Sequence, residues 1–227
     1  GICVGASLAT VAAQDSRIRD DVKFVNFFAG YYDALDIVKA IGMRKKFDEN
    51  TLSPWTPDKL TLRVFTNHMI EGMTDHEDKL LLTRIFVSNQ QWSTEELRSL
   101  SQEGLAVYQL LIGVSPTEID AIMRQLSPRT INFLREISPS TYISNVNAKV
   151  LIMHDRGDDL VPYYESQRLA KALERRLGTK DETYYTEFSL FQKEIQVHED
   201  QDMGIGPIGF MKEASKFFLH MYQILKE

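Results

Sequence analysis

The sequence contains little cysteine or proline, no long apolar run and no excess of basic residues. Its single cysteine, Cys3, excludes an intramolecular disulfide and favours a reducing compartment. No apolar run approaches the roughly 20 residues that a membrane-spanning helix needs, and no signal peptide is recognisable. A net charge of −6 disfavours nucleic acid as a partner. We therefore expect a soluble, cytoplasmic protein without a membrane span.

The composition is that of an ordinary globular protein. The chain has 227 residues, of which 43% are hydrophobic and 26% are charged. This length suffices for one substantial core, or for a core that carries an inserted subdomain.

The first dozen residues predict a strand that passes through a tight turn into a helix. The apolar run of residues 2–4 predicts the strand, and the small residues of GASLA, at 5–9, place Ser7 at the apex of the turn. We expect a helix from Leu8 to about Ile18, with the N–H of Leu8 facing any negative charge that develops beside Ser7. Cys3 is interpreted as a buried small hydrophobe. The structural alternative for Ser7 is a helix cap.

The rest of the chain predicts two α/β regions that flank about a hundred helical residues. Residues 22–29 (VKFVNFFA) predict a buried strand, and Tyr31, Tyr32 and Asp33 follow its end, either near a ligand or in ordinary loop packing. The stripe of Leu62, Phe65, Met69 and Met73 is expected to be the buried face of a helix rather than the lining of a cleft. Further predicted helices are 34–46, 57–73, 77–87, 94–112, 116–126, 163–177 and 207–225, and further strands are 149–153 and 183–191.

A carboxylate and a histidine follow Ser7 in the chain. Asp158 lies in the loop after the strand at 149–153, with Asp159 as the competing carboxylate. His198 lies in the predicted loop before the last helix, whereas His154, at the end of a strand, is expected to be structural. A hydroxyl needs a base to attack a carbonyl, and a carboxylate orients the imidazole that serves as the base. A metal centre of Asp158, His198 and Asp202 is a weaker alternative, since these ligands lack a regular spacing.

These three segments resemble the α/β-hydrolase family. Gly5-Ala6-Ser7-Leu8-Ala9 is similar to its G-x-S-x-G nucleophile elbow, and the segment from His154 to Pro162 is similar to its acid-bearing loop. Ala9 and Asp155 depart from the family pattern, which has glycine at both positions. The resemblance implies a mostly parallel α/β sheet flanked by helices at residues 1–33 and 140–227, with a helical cap inserted at 34–139. It also implies Ser7 as nucleophile, His198 as base, Asp158 as its orienting acid and Leu8 N–H as an oxyanion donor.

The implied activity is hydrolysis of a carboxylic ester, thioester or amide through an acyl-enzyme. We expect no cofactor and no metal, and a small acyl substrate with an apolar portion. The family's strands before the elbow are missing, so we expect a fragment, or a second chain that covers the exposed sheet edge. The competing hypothesis is a catalytically inactive hydrolase-like fragment or binding module.

Overall fold

The fold was analysed on a computed structural model that describes residues 1–48, 51–177, 183–190 and 206–227. The chain divides into two compact units. The first comprises Gly1–Asp33 and Ile137–Glu227, and the second comprises Ala34–Glu136. Each unit is described by itself.

The first unit contains three strands, three α-helices and a short 3₁₀ helix among its described residues. They are α1 (Val4–Ala12), β1 (Phe24–Phe28), the 3₁₀ helix Pro139–Asn145, β4 (Lys149–Asp155), α9 (Tyr164–Leu177), β5 (Thr183–Phe188) and α10 (Pro207–Lys226). The second unit contains α2 (Ala34–Met43), β2 (Lys45–Asp48), β3 (Thr51–Pro54), α3 (Lys59–Gly72), α4 (His76–Leu82), a π-helical segment (Thr83–Val87), α5 (Thr94–Arg98), α6 (Gln102–Ile112), α7 (Ile119–Met123) and α8 (Pro128–Glu136).

The sheet of the first unit has the order β1-β4-β5, and all of its pairs are parallel. Phe28 lies opposite Met153, and Asp155 lies opposite Phe188, so the three strands end at one edge. Nearly the whole of β4 is buried, as expected for the central strand of a parallel sheet. The protein is therefore an α/β protein, as the sequence predicts.

Alternating side chains of the sheet and the apolar faces of two helices form the core of the first unit. Strands present every second residue to one face, which brings the buried side chains of β1 and β4 together. α9 contributes Leu169 and Leu173 at the i, i+4 spacing of one helix face, and α1 contributes Ala6.

The prediction for the first residues is wrong in its boundaries. α1 begins at Val4 rather than Leu8 and ends at Ala12 rather than near Ile18. Ile2 makes only a single parallel bridge, to Phe28. The chain therefore turns at Cys3, four residues before the predicted apex, because the small residues after Gly5 continue a helix instead of forming a turn.

The second unit is mainly helical, and two of its predicted features are wrong. The antiparallel β2-β3 pair was not predicted, because Lys45–Pro54 shows no clear alternation of apolar residues. The helix expected over 94–112 is divided into α5 and α6, since Ser101 caps a new helix by accepting the N–H of Gly104. The stripe on α3 is a buried face as predicted, with Phe65, Met69 and Met73 at most 5% exposed. Among the described residues, no helix is long and apolar enough to cross a membrane.

Candidate active site

Cys3 occupies a sharp turn between an extended segment and the first turn of α1. Its backbone has φ 53° and ψ −132°, a conformation that few residues other than glycine adopt and one that clusters at functional sites. Its N–H donates to Phe28 O at 2.8 Å, and its carbonyl accepts the N–H of Ala6 at 2.9 Å. The partly exposed Cys3 thiol therefore stands where the extended segment passes into the helix, as the nucleophile of a strand–turn–helix elbow does.

Burial and two neighbouring groups act on the pKa of the Cys3 thiol. Burial raises this pKa most, a hydrogen bond from the N–H of Val4 lowers it, and the negative charge of Asp158 raises it. The net effect is a raised pKa, so the thiol is protonated at neutral pH and requires a base before it can attack. The influence of Asp158 also shows that its carboxylate lies within electrostatic range of Cys3.

Ser7 lies inside α1 and has no exposed surface. Its hydroxyl donates to Tyr31 O at 2.8 Å and accepts the N–H of Tyr31 at 2.9 Å. Both hydrogen-bonding directions of the hydroxyl are therefore satisfied by one residue of the loop after β1. In this conformation no substrate atom can reach Ser7 Oγ, and its role as the nucleophile stays a prediction.

The backbone N–H of Leu8, the predicted oxyanion donor, lies inside α1. Leu8 is the fifth residue of α1, so its N–H points at the Val4 carbonyl, its regular acceptor within the helix. The N–H groups of the first helical turn have no acceptor inside the helix. Cys3 O accepts those of Ala6 and Ser7, whereas the N–H of Val4 points towards the Cys3 sulfur. The role of the Leu8 N–H as an oxyanion donor stays a prediction, and the Val4 N–H is the one that bonds to the Cys3 sulfur.

Asp158 is held rigidly in the loop after β4. Its Oδ1 accepts the N–H groups of Leu160 at 2.6 Å and Val161 at 3.0 Å, and the residue is 7% exposed. Asp159, the competing carboxylate, is exposed. The Asp158 carboxylate is therefore buried and hydrogen-bonded, and its negative charge raises the pKa of the Cys3 thiol.

His154 is a buried structural histidine. Its Nε2 lies 2.9 Å from Val161 O, which can only accept, so this nitrogen carries the proton and donates it. Its Nδ1 lies 2.6 Å from Ser166 Oγ, which donates to it when the ring is neutral. Asp158 Oδ2 lies 3.4 Å from His154 Nε2. His154 therefore joins β4, the acid-bearing loop and α9, and it has no nitrogen left for chemistry.

The predicted base, His198, and Asp202 of the alternative metal centre lie outside the described residues, so the site is described without them. Within the parts of the chain that are described, no group of histidine, cysteine and carboxylate side chains is arranged to hold a metal ion.

Sequence reasoning missed Cys3, although a signal for it was present. Gly1-Ile2-Cys3-Val4-Gly5 has glycine at both flanking positions of the G-x-nucleophile-x-G pattern, whereas the pattern centred on Ser7 lacks the second glycine. Cysteine is as competent a nucleophile as serine once it is deprotonated.

Comparison of the chain with protein-family models, with curated proteins and with solved structures finds no match. The functional argument therefore depends on the geometry of the site.

Proposed function

We propose that the first unit is part of an α/β-hydrolase core, that the second unit is its inserted helical cap, and that the protein transfers acyl groups to water through Cys3. The observation that carries this proposal is the backbone of Cys3, whose φ of 53° places a nucleophilic side chain at a strand–helix turn. Asp158, in the loop after β4, supports the proposal because its negative charge acts on the thiol.

The first chemical step requires a base, because the pKa of the thiol is raised. In the proposed reaction, His198 accepts the thiol proton while the sulfur attacks the carbonyl carbon, and Asp158 orients the imidazole. The Val4 N–H stabilises the resulting oxyanion. The C–X bond then breaks, and the leaving group takes the proton from His198.

The second step releases the acyl group as a carboxylic acid. His198 accepts a proton from water as the water oxygen attacks the thioester, and the Cys3 sulfur departs and regains a proton. The substrate is a carboxylic ester, thioester or amide. An apolar acyl portion is part of the proposal, as a hypothesis that follows from the interpretation of the second unit as a cap. No cofactor takes part in either step.

The test compares ester and thioester hydrolysis by the wild type, Cys3→Ala, Cys3→Ser and Ser7→Ala. We expect Cys3→Ala to abolish turnover and Cys3→Ser to retain a small part of it, because serine retains the position but not the acidity of the nucleophile. Ser7→Ala should keep a thiol-dependent activity. Activity that survives in Cys3→Ala and disappears in Ser7→Ala would overturn the assignment and restore Ser7.

The alternative is a hydrolase-like binding module without turnover. Asp155 favours it, because this carboxylate occupies the position where the family has glycine, and it accepts the N–H groups of Gly157 at 2.7 Å and Leu190 at 2.9 Å. A thiol that is alkylated at an ordinary rate, together with the absence of hydrolysis across a panel of short- and medium-chain esters and thioesters, would establish this alternative.

A further inference from the structure

The loop after β1 lies directly beside the proposed nucleophile. Cys3 N–H donates to Phe28 O at 2.8 Å, which places the turn at Cys3 next to the end of β1, and Tyr31 follows three residues later. A negative charge at Cys3 raises the pKa of Tyr31, in addition to the larger effect of burial. The loop from Phe28 to Tyr31 therefore runs alongside the Cys3–Ser7 segment, since its two ends bond to Cys3 and Ser7. It lies at the carboxyl end of the sheet, where ligands bind in open α/β proteins.

Tyr31 is fixed at both ends. Its backbone N–H and carbonyl both bond to the hydroxyl of Ser7, at 2.9 Å and 2.8 Å. Its own hydroxyl donates to Ile137 O at 3.2 Å, and the residue is only 5% exposed. Gly30 permits this close approach, because a Cβ at position 30 would lie 2.8 Å from Ser7 Oγ. The Tyr31 ring therefore has a defined position and cannot move without breaking buried hydrogen bonds.

This arrangement gives Ser7 a role that does not require an exposed hydroxyl. Ser7 lies one helical turn after Cys3 on α1, so it connects the helix that carries the nucleophile to the loop that borders it. We propose that Ser7 is a positioning residue that holds Tyr31 against Cys3, and that the Tyr31 ring is the rigid wall that limits the width of the acyl group reaching the thiol. The inference rests on the proposed function, since it takes Cys3 as the nucleophile.

The test measures how Cys3 discriminates between a narrow and a wide thiol reagent. The second-order rate constants for N-ethylmaleimide and N-benzylmaleimide are measured on the full chain. The rate constant for N-ethylmaleimide is divided by that for N-benzylmaleimide, and this ratio is divided by the same ratio for glutathione to give the normalised preference. Cys3 is the only cysteine, so each rate reports on this one thiol. We expect the wild type to prefer the narrow reagent, because a rigid wall excludes the wider one.

Ser7→Ala removes both bonds to Tyr31, and Tyr31→Leu shortens the wall itself. Each should lower the normalised preference at least about threefold, a small part of the roughly 10–200-fold that a well-formed apolar pocket can discriminate per methylene. The matched control is Thr10→Val, which removes another fully buried hydroxyl of α1, whose bond within the described residues goes to the helix's own Ala6 O, at 2.9 Å. This control should keep the wild-type preference.

The pH dependence of the N-ethylmaleimide rate distinguishes a loss of the Tyr31 position in Ser7→Ala from a general unfolding of the site. If Ser7 only positions Tyr31, the apparent pKa of Cys3 in Ser7→Ala remains at its raised, wild-type value, whereas an unfolded site gives an ordinary thiol pKa. A wild-type preference equal to that of glutathione, or a preference unchanged in both Ser7→Ala and Tyr31→Leu, would overturn the inference. Clear discrimination without hydrolysis of any ester would refute the proposed function. It would also overturn the role of Tyr31 in acyl selection, and only the finding that Tyr31 limits access to the thiol would remain.

Discussion

Glu165 stabilises the loop that carries Tyr31 and provides the sharpest stability test of the site. Glu165 is only 3% exposed, and its Oε2 accepts the N–H groups of Tyr32 at 2.9 Å and Asp33 at 3.0 Å. Its Oε1 accepts from Arg168 Nη1 at 3.0 Å. In Glu165→Ala the two loop N–H groups lose this acceptor, and each buried unsatisfied group costs about 1–3 kcal/mol. We therefore expect the free energy of unfolding to fall by about 2–6 kcal/mol.

Urea unfolding of the full chain, followed by tryptophan fluorescence and circular dichroism, measures this loss as a lower midpoint with an unchanged slope. Glu165→Gln keeps an acceptor for the loop and loses only the charge, so it should cost clearly less than the alanine variant. Glu174→Ala is the matched control, because Glu174 is an exposed glutamate on the same helix, α9. If Glu165→Ala costs no more than Glu174→Ala, the reasoning that this carboxylate holds the loop is refuted.

Three further predictions concern other buried positions. Gly30→Ala should destabilise the protein by about 1–3 kcal/mol in the same unfolding assay, because its Cβ would lie 2.8 Å from Ser7 Oγ. Gly5→Ala is the control and should be neutral or stabilising, because a Cβ at position 5 has nothing within 4 Å. Equal effects of the two substitutions would contradict the prediction. Burial lowers the pKa of His220 to about 4, so the folded state disfavours the charged ring. The free energy of unfolding should therefore fall by at most about 3 kcal/mol as the pH drops from about 6.5 to 4. His220→Leu should flatten this pH dependence, and an unchanged dependence in the variant would contradict the prediction. His154→Leu should cost about 2–4 kcal/mol by thermal unfolding, since Val161 O and Ser166 lose their buried partner; a cost below about 0.5 kcal/mol would show that the ring is not structural.

The parallel sheet was predictable because its strands have strong local patterns. The apolar residues of β1 and β4 alternate or run continuously between polar breaks, and α9 and α10 show helical periodicity with clear starts. The β2-β3 pair was not predictable, since its stability comes from cross-strand bonds rather than from an apolar pattern.

The position of the turn before α1 was harder to predict than the fold. Ile2, Cys3 and Val4 are as compatible with a strand as with a turn, and the small residues Ala6 and Ala9 fit either a turn or a tightly packed helix. What places the turn is the positive φ of Cys3, which the pairing of Ile2 with Phe28 and the packing of α1 impose together. Such a tertiary constraint leaves no trace in local propensity. The resemblance centred the expected turn on Ser7, whereas the structure has the turn at Cys3, four residues earlier.

The most direct test of the central claim is intact-mass spectrometry of the protein mixed rapidly with a p-nitrophenyl ester and quenched in acid, followed by peptide mapping. A cysteine nucleophile predicts a single acyl adduct on Cys3 that hydroxylamine removes at neutral pH, as it does a thioester, and that is missing in Cys3→Ala. An adduct on Ser7 that resists neutral hydroxylamine, as an ordinary ester does, would contradict the account and show that α1 opens to expose the buried serine.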